Sequence, residues 1–296
     1  MTDQASRPPV LVVHDRPEDF ARDLEARAPA ERFVYATDGE AVRRFLDERD
    51  PEVVFSITHS GFPGHLHRPI VEHTSVRWVQ VGGSGYEHLE PWDASRLTVT
   101  NGVGVLARFL AETATGAMLA LNAGLPAYAR DQARARWQPR TFRTLSEQTL
   151  LVVGLGHIGA WMARYGHALG MRVIATRRTL ASSPEVDELH PPEALLELLP
   201  RADVVSLHVR LNEATRHLID ARALAAMGPG ALLLNTARGA VVDEPALIEA
   251  LASGHLGGAY LDVFEEEPLP PSSPLWRMPN VIITPHASDA VQDSTS

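Results

Sequence analysis

Short apolar runs alternate with amphipathic stretches along most of the chain. Pro9-Val10-Leu11-Val12-Val13-His14 predicts a buried strand, and Pro17 to Arg27 predicts the helix after it, with Phe20, Leu24 and Ala28 at helical spacing. Further short strands are predicted at Phe33-Val34-Tyr35-Ala36, Val53-Val54-Phe55-Ser56-Ile57, Arg77-Trp78-Val79-Gln80-Val81 and Leu97-Thr98-Val99-Thr100. Helical pieces at Glu40 to Arg49 and Pro69 to Thr74 lie between them. Strands that alternate with helices imply a parallel sheet covered on both faces. This first series ends near Asn101.

A long pattern rich in Ala and Leu follows from Val105 to Trp137 and predicts a helix that bridges two domains, broken or kinked at Gly124 and Pro126. After a polar stretch from Gln138 to Gln148 the alternation resumes. Leu150-Leu151-Val152-Val153, Arg172-Val173-Ile174-Ala175, Val204-Val205-Ser206-Leu207, Ala231-Leu232-Leu233-Leu234, Gly258-Ala259-Tyr260-Leu261 and Val281-Ile282-Ile283 are the expected strands. Helices are expected from Ala160, at Pro192 to Leu199 and at Pro245 to Ser253. The expectation is an α/β protein with two doubly wound parallel sheets, residues 1–100 forming one domain and 101–285 the other.

One junction is chemically specific. The strand at Leu150 runs into Gly154-Leu155-Gly156-His157-Ile158-Gly159 and then into a helix. In this G-x-G-x-x-G pattern Gly154 permits the turn, Gly156 admits a pyrophosphate against the backbone, and Gly159 allows close packing of helix on strand. The phosphates then lie over unpaired N–H groups at the helix N-terminus. The second strand of a βαβ unit follows at the right distance, so a dinucleotide is the expected ligand.

Composition narrows the partners. The 296 residues suit two domains, and the formal charge of −10 disfavours nucleic acid and an anionic membrane surface. An anionic substrate therefore needs a local basic site. No cysteine is present, which excludes a disulfide framework, a thiolate nucleophile and a cysteine-ligated zinc; no metal site is expected. Neither a signal peptide nor a run approaching 18 apolar residues is found, so a cytoplasmic protein is expected.

Ligands of open α/β sheets bind beyond the carboxyl ends of the strands. Three such ends carry reactive side chains: Asn235-Thr236-Ala237-Arg238-Gly239, Asp262-Val263-Phe264-Glu265-Glu266-Glu267-Pro268 and Thr284-Pro285-His286. Arginine offers a permanent positive fork for a carboxylate and a carbonyl oxygen. Histidine exchanges a proton near neutrality, and a carboxylate beside it orients the ring and raises its pKa.

With Gly82-Gly83-Ser84-Gly85-Tyr86-Glu87-His88 and Ala111-Glu112, these motifs occur in the order that resembles the D-isomer-specific 2-hydroxyacid dehydrogenase family, glyoxylate and hydroxypyruvate reductases in particular. The match runs from about Trp78 to His286. The resemblance implies a Rossmann-type dinucleotide-binding domain and a flavodoxin-like substrate domain, with residues 286–296 returning to the substrate domain. It implies that Arg238 binds carboxylate and carbonyl, that His286 moves the proton, and that Glu267 supports His286. Backbone N–H groups at Ser84 and Gly85 would hold the substrate carboxylate. Cofactor contacts are implied at Gly154, Gly156, His157, Ile158, Gly159, His208, Thr236, Ala237 and Asp262. A homodimer built through the nucleotide domain and the segment from Arg130 to Trp137 is also implied.

Three departures stand out. Arg210 occupies a position where the family usually has proline, and after His286 the sequence reads Ala287-Ser288-Asp289-Ala290-Val291 and stops at Ser296, leaving little room for the helix that usually follows. The third concerns the cofactor. Nucleotide-binding units of this type place Asp or Glu at the end of the second strand to bind the ribose hydroxyls. Here Thr176-Arg177-Arg178 stands there, offering a hydroxyl and two guanidinium groups to a 2′-phosphate, so NADP(H) is favoured over NAD(H). The expected activity is hydride transfer between that cofactor and a small 2-oxo or D-2-hydroxy acid. Two alternatives remain open at this point: a cofactor-sensing binding protein of the corepressor type on the same scaffold, and oxidation of phosphite by the same Arg and His.

Overall fold

The computed structural model describes residues 7–58 and 61–288. The chain divides into two compact units, residues 1–105 and 106–296.

In the first unit five strands, β1 (Val10–Val13), β2 (Phe33–Ala36), β3 (Val53–Ser56), β4 (Trp78–Val81) and β5 (Thr98–Asn101), form one sheet in the order β2-β1-β3-β4-β5. Every pairing is parallel. That order is the flavodoxin-like one, with its switch point between β1 and β3. Helices α1 (Ala21–Arg27), α2 (Gly39–Arg49) and α3 (Arg68–Glu72) connect the strands. Asp38 caps α2 by accepting the Ala41 N–H at 2.8 Å. Leu11 and Val13 of β1, Val54 of β3 and Val79 and Val81 of β4 pack with Leu46 and Ile70 from the helices.

The second unit opens with α4 (Ala107–Asn122) and α5 (Leu125–Ala133). The expected break falls at Gly124, whose φ of +70° ends α4, and Pro126 sits in the first turn of α5. Helix stops at Ala133, short of the predicted Trp137, because Ala135 takes φ +50°. The segment 134–144 has no regular structure, and Trp137 is 98% exposed.

Seven strands follow: β6 (Thr149–Val153), β7 (Arg172–Thr176), β8 (Glu188–His190), β9 (Val204–Leu207), β10 (Leu232–Asn235), β11 (Gly258–Leu261) and β12 (Val281–Ile283). Their order is β12-β11-β10-β9-β6-β7-β8, all parallel, which is the Rossmann arrangement extended by one strand. Alternate residues serve opposite faces. Leu151, Val153, Val205 and Leu233 join α7 (Leu195–Leu198), α8 (Ala221–Ala226) and α9 (Glu244–Ala252) on one side. Leu150, Val152, Val204, Leu234 and Tyr260 join α4 and α6 (His157–Ala168) on the other. Strands β9, β10 and β11 are buried throughout, the expected state for strands covered on both faces.

Two elements, β8 and α8, escape the sequence pattern. Strand β8 is three residues at a sheet edge, and α8 is six residues started by Asp220, whose side chain accepts the Ala223 N–H. Both are too short for a periodicity to develop. Residues 286–288 belong to the second unit, while 289–296 lie outside the described residues. Among the described residues no helix is long and apolar enough to cross a membrane.

Candidate active site

Strands β10, β11 and β12 are neighbours, so the segments that leave their carboxyl ends meet. After β10 the buried Asn235 shapes the turn: its Oδ1 accepts the Ala237 N–H at 3.0 Å and its Nδ2 donates to the Arg238 carbonyl at 3.0 Å. Arg238 Nη1 donates to the Ala237 carbonyl at 2.7 Å. Gly239 then passes so close to the next segment that a Cβ there would lie 1.8 Å from the Phe264 carbonyl carbon and 2.4 Å from the Glu265 nitrogen. Only glycine permits this approach.

The turn after β12 is organised by Asp262, 1% exposed at the end of β11. Its Oδ1 accepts the Thr284 hydroxyl at 2.5 Å and the N–H groups of Ala287 at 2.9 Å and Ser288 at 3.1 Å, and its Oδ2 accepts the Ser288 hydroxyl at 2.5 Å. Tyr260 extends the network, its hydroxyl 2.9 Å from Thr284 Oγ1. These four bonds satisfy both oxygens of the buried carboxylate. Held within this turn, His286 adopts φ +51° and donates its backbone N–H to the Asp262 carbonyl at 2.8 Å. The left-handed backbone costs a non-glycine residue roughly 1–2 kcal/mol, which the surrounding bonds offset.

The His286 ring meets Glu267, Nδ1 lying 2.8 Å from Oε2. The other carboxylate oxygen of Glu267 accepts the Phe264 N–H at 3.0 Å. The hydrogen bond to Glu267 lifts the His286 pKa above 6.5, and the Glu267 charge adds to it; burial and the Arg238 charge oppose, without cancelling the rise. Burial pushes the Glu267 carboxyl the other way, upward, but its bonds to His286 and Phe264 and the charges of His286 and Arg238 hold it below 4.5. Arg238 thus acts electrostatically on both members of the pair. With Nδ1 engaged, Nε2 is the ring atom left to exchange a proton.

The glycine turn after β6 has the form a dinucleotide needs. Gly154 takes φ +98°, and a Cβ there would press on the backbone of His208; a Cβ on Gly159 would lie 2.3 Å from the Gly154 carbonyl. Gly156 has nothing within 4 Å of the Cβ position, so a pyrophosphate can approach. His157 and Ile158 open α6 above it. Two buried polar atoms at neighbouring strand ends, His208 Nδ1 after β9 and Thr236 Oγ1 after β10, have no hydrogen-bond partner among the described residues. Burial pushes His208 down to about 3, so its ring stays neutral, with Nε2 2.8 Å from the Ser206 hydroxyl. Ala237 is buried beside Thr236. These features fit a nicotinamide dinucleotide. At the end of β7, Thr176 is 2% exposed and its Oγ1 accepts the Gly154 N–H at 3.3 Å, whereas Arg177 and Arg178 are exposed. The two guanidinium groups, rather than the hydroxyl, therefore stand at the strand end.

Ser84 and Gly85 belong to the first unit, in the loop after β4. Asn101 Nδ2 donates to the Ser84 carbonyl at 2.7 Å, and Gly102 N–H to the Gly83 carbonyl at 2.9 Å, so the end of β5 fixes that loop. Arg210 is exposed, and its carbonyl accepts the Thr215 hydroxyl at 2.6 Å. Sequence reading did not foresee that Asp262 holds the histidine turn, nor that His217 and Glu265 pair at 2.8 Å. Their partners lie 22–48 residues away, where no local spacing can point to them.

Comparison with known proteins bears on the same residues. Residues 115–288 match the model of the D-isomer specific 2-hydroxyacid dehydrogenase NAD-binding domain. A (S)-sulfolactate dehydrogenase of Chromohalobacter salexigens is 50% identical over 147 residues, 49% of this chain and 48% of that protein. The stretches matched span 47–66% of the lengths of the curated relatives. Among solved structures, a D-isomer specific 2-hydroxyacid dehydrogenase family protein of Aeromonas salmonicida superposes with TM-score 0.84 at 30% identity, covering 95% of this chain and 90% of that one. The NADPH-dependent glyoxylate/hydroxypyruvate reductase of Sinorhizobium meliloti, in complex with NADP and sulfate, gives 0.80 at 26% identity, covering 96% and 90%. The glycine turn, the three converging strand ends and these matches agree: the chain belongs to the D-isomer-specific 2-hydroxyacid dehydrogenase family.

Proposed function

We propose that the protein reduces small 2-oxo acids to D-2-hydroxy acids with NADP(H), NAD(H) being the poorer cofactor. The observation that carries this reading is the 2.8 Å contact between His286 and Glu267, under the influence of the Arg238 charge, at the same carboxyl edge of the parallel sheet as the glycine turn. Arg238 is the cation for the substrate carboxylate and carbonyl oxygen. His286, whose protonated form Glu267 favours, donates from Nε2 to the carbonyl oxygen as negative charge develops there. Arg238 offsets that charge before the proton arrives. The bound dinucleotide supplies the hydride.

Residues 101–285 form the dinucleotide-binding domain in this reading, with Gly154, Gly156, His157, Ile158, Gly159, His208, Thr236 and Ala237 lining the cofactor. Asp262 acts at the nicotinamide end chiefly by fixing the turn of His286. Arg177 and Arg178 favour the 2′-phosphate because the strand end carries no carboxylate to repel it. The fully exposed Trp137 in the segment 134–144 supports a homodimer joined there. The named activity of the Sinorhizobium meliloti relative is of the same kind.

Steady-state oxidation of NADPH and NADH with a panel of 2-oxo acids tests the proposal. Turnover with a higher kcat/KM for NADPH is expected. Cofactor binding without turnover on any 2-oxo acid would refute it in favour of a binding protein, and turnover on phosphite alone would move the chain to a different substrate class.

A further inference from the structure

A second histidine–carboxylate pair lies two residues from the first. The segment after β9 turns back at Asn212, whose Oδ1 accepts the Ala214 and Thr215 N–H groups at 2.9 and 3.1 Å. It then runs beside the Arg238 turn: the His217 N–H donates to the Ala240 carbonyl at 2.8 Å and the Ile219 N–H to the Val241 carbonyl at 3.1 Å. His217 takes φ +49°, a left-handed backbone that costs a histidine strain. Its Nε2 reaches Glu265 Oε1 at 2.8 Å. Glu265 in turn donates its N–H to Glu244 Oε2 at 3.2 Å. Glu265 is also the residue whose nitrogen lies against Gly239, and it precedes Glu267 by two positions.

We propose that His217 and Glu265 form a positioning clamp, which holds the Glu265–Glu267 segment against the Arg238 turn and so sets the alignment of Glu267 with His286. The inference rests on the reading of His286 as the proton donor. Its physical basis is the charge of that segment. Glu265, Glu266 and Glu267 are consecutive, and Glu244 faces them; burial raises the Glu244 pKa first of all, and the Glu265 and Glu266 charges raise it further. Such a set of carboxylates repels itself, and His217 brings a donor to its centre. The groups acting on the His286 ring are Glu267, Arg238 and Asp262, so His217 reaches it only through the segment it anchors. A side-chain pair this exposed contributes little to stability. Tied to two loops that carry Arg238 and Glu267, it contributes geometry.

The test uses the full chain with His217→Ala, His217→Gln and Glu265→Gln. The first reading is the His286 ring titration by NMR, which needs no turnover. The second is reduction kinetics with an accepted 2-oxo acid. His217→Ala is expected to move the His286 titration downward toward 6.5, and to lower kcat on the order of tenfold, with the cofactor KM unchanged, because misplacing a catalytic group by a fraction of an ångström has that scale of effect. His217→Gln, whose amide N–H still donates to Glu265, is expected to retain most of both. Glu265→Gln, which keeps an acceptor and removes charge, gives the same two readings if His217→Ala does not fold, with a smaller downward shift expected. A wild-type His286 titration in His217→Ala, or in Glu265→Gln should that be the variant read, overturns the clamp whether or not the enzyme turns over. Absence of turnover in the wild type, with the titration shift present in the variant, refutes the dehydrogenase reading and leaves the clamp standing.

Discussion

Replacing Gly239 with alanine tests how closely the arginine turn must lie against the glutamate segment. The added Cβ would sit 1.8 Å from the Phe264 carbonyl carbon, 1.9 Å from its oxygen and 2.4 Å from the Glu265 nitrogen. All three are backbone atoms, so no side-chain rotation relieves the overlap. Ordinary contact begins at 3.4 Å, so the two segments must part by about 1.6 Å. That movement falls one residue from Arg238 and three from Glu267. Since a displacement of 1 Å can cost 10²-fold in rate, kcat/KM for reduction should fall on the order of 10²-fold. Overpacking of this kind costs about 1–3 kcal/mol, and a chain of this size loses about 2–4 °C in Tm for each. Gly116→Ala is the control: it lies inside α4 with nothing within 4 Å of its Cβ. That variant should gain about 0.5–1 kcal/mol and keep its kinetics. Thermal melts and steady-state rates on both variants decide the matter, and wild-type kcat/KM in Gly239→Ala would refute the close-approach argument.

Other substitutions separate the proposed roles. His286→Ala should lower kcat for reduction on the order of 10²–10⁴-fold, as for a lost general acid, while Arg238→Ala should raise KM and lower kcat together; near-normal turnover in His286→Ala would end the proton-donor assignment. Glu267→Gln removes the charge that raises His286, so the pH limb for reduction should move downward, and an unchanged profile would count against the pair. Linkage has the same sign: the stability His286 gains from Glu267 is fully present below pH 6.5 and is lost as pH rises through the raised folded value, so urea midpoints of wild type and Glu267→Gln should differ most on the acid side of that window. Arg177→Asp replaces a phosphate-binding cation with a repelling anion and should shift the NADPH-to-NADH ratio of kcat/KM by about 10–100-fold, from the 1.5–3 kcal/mol typical of a charged hydrogen bond; no change in that ratio would refute the phosphate reading.

Much of this architecture is legible in the order of residues. Strands β9, β11 and β12 coincide with their predicted runs, because no charged residue interrupts Val204–Leu207, Gly258–Leu261 or Val281–Ile283. The break at Gly124 is legible because a residue at φ +70° favours glycine. The candidate site is legible in part: chemistry gathers after strands that a parallel sheet sets side by side, so Arg238, His286 and the acidic run before Pro268 stand out before any coordinates, and the family resemblance implies Glu267 within that run. Strand β8, helix α8 and the pair His217–Glu265 do not stand out, being too short or too far apart in sequence to leave a pattern.

Local composition by itself determined where the chain turns, which stretches are buried and which residue types stand at the strand ends, since each depends on neighbours within a few positions. Tertiary structure alone decided that Glu265, two residues before the Glu267 that meets His286, turns to His217. It also set the buried carboxylate of Asp262 to gathering the backbone after His286, and turned the Thr176 hydroxyl into the glycine loop. Side-chain direction and protonation follow from groups brought within about 3 Å by the fold, and that proximity joins residues whose separation along the chain carries no information about it.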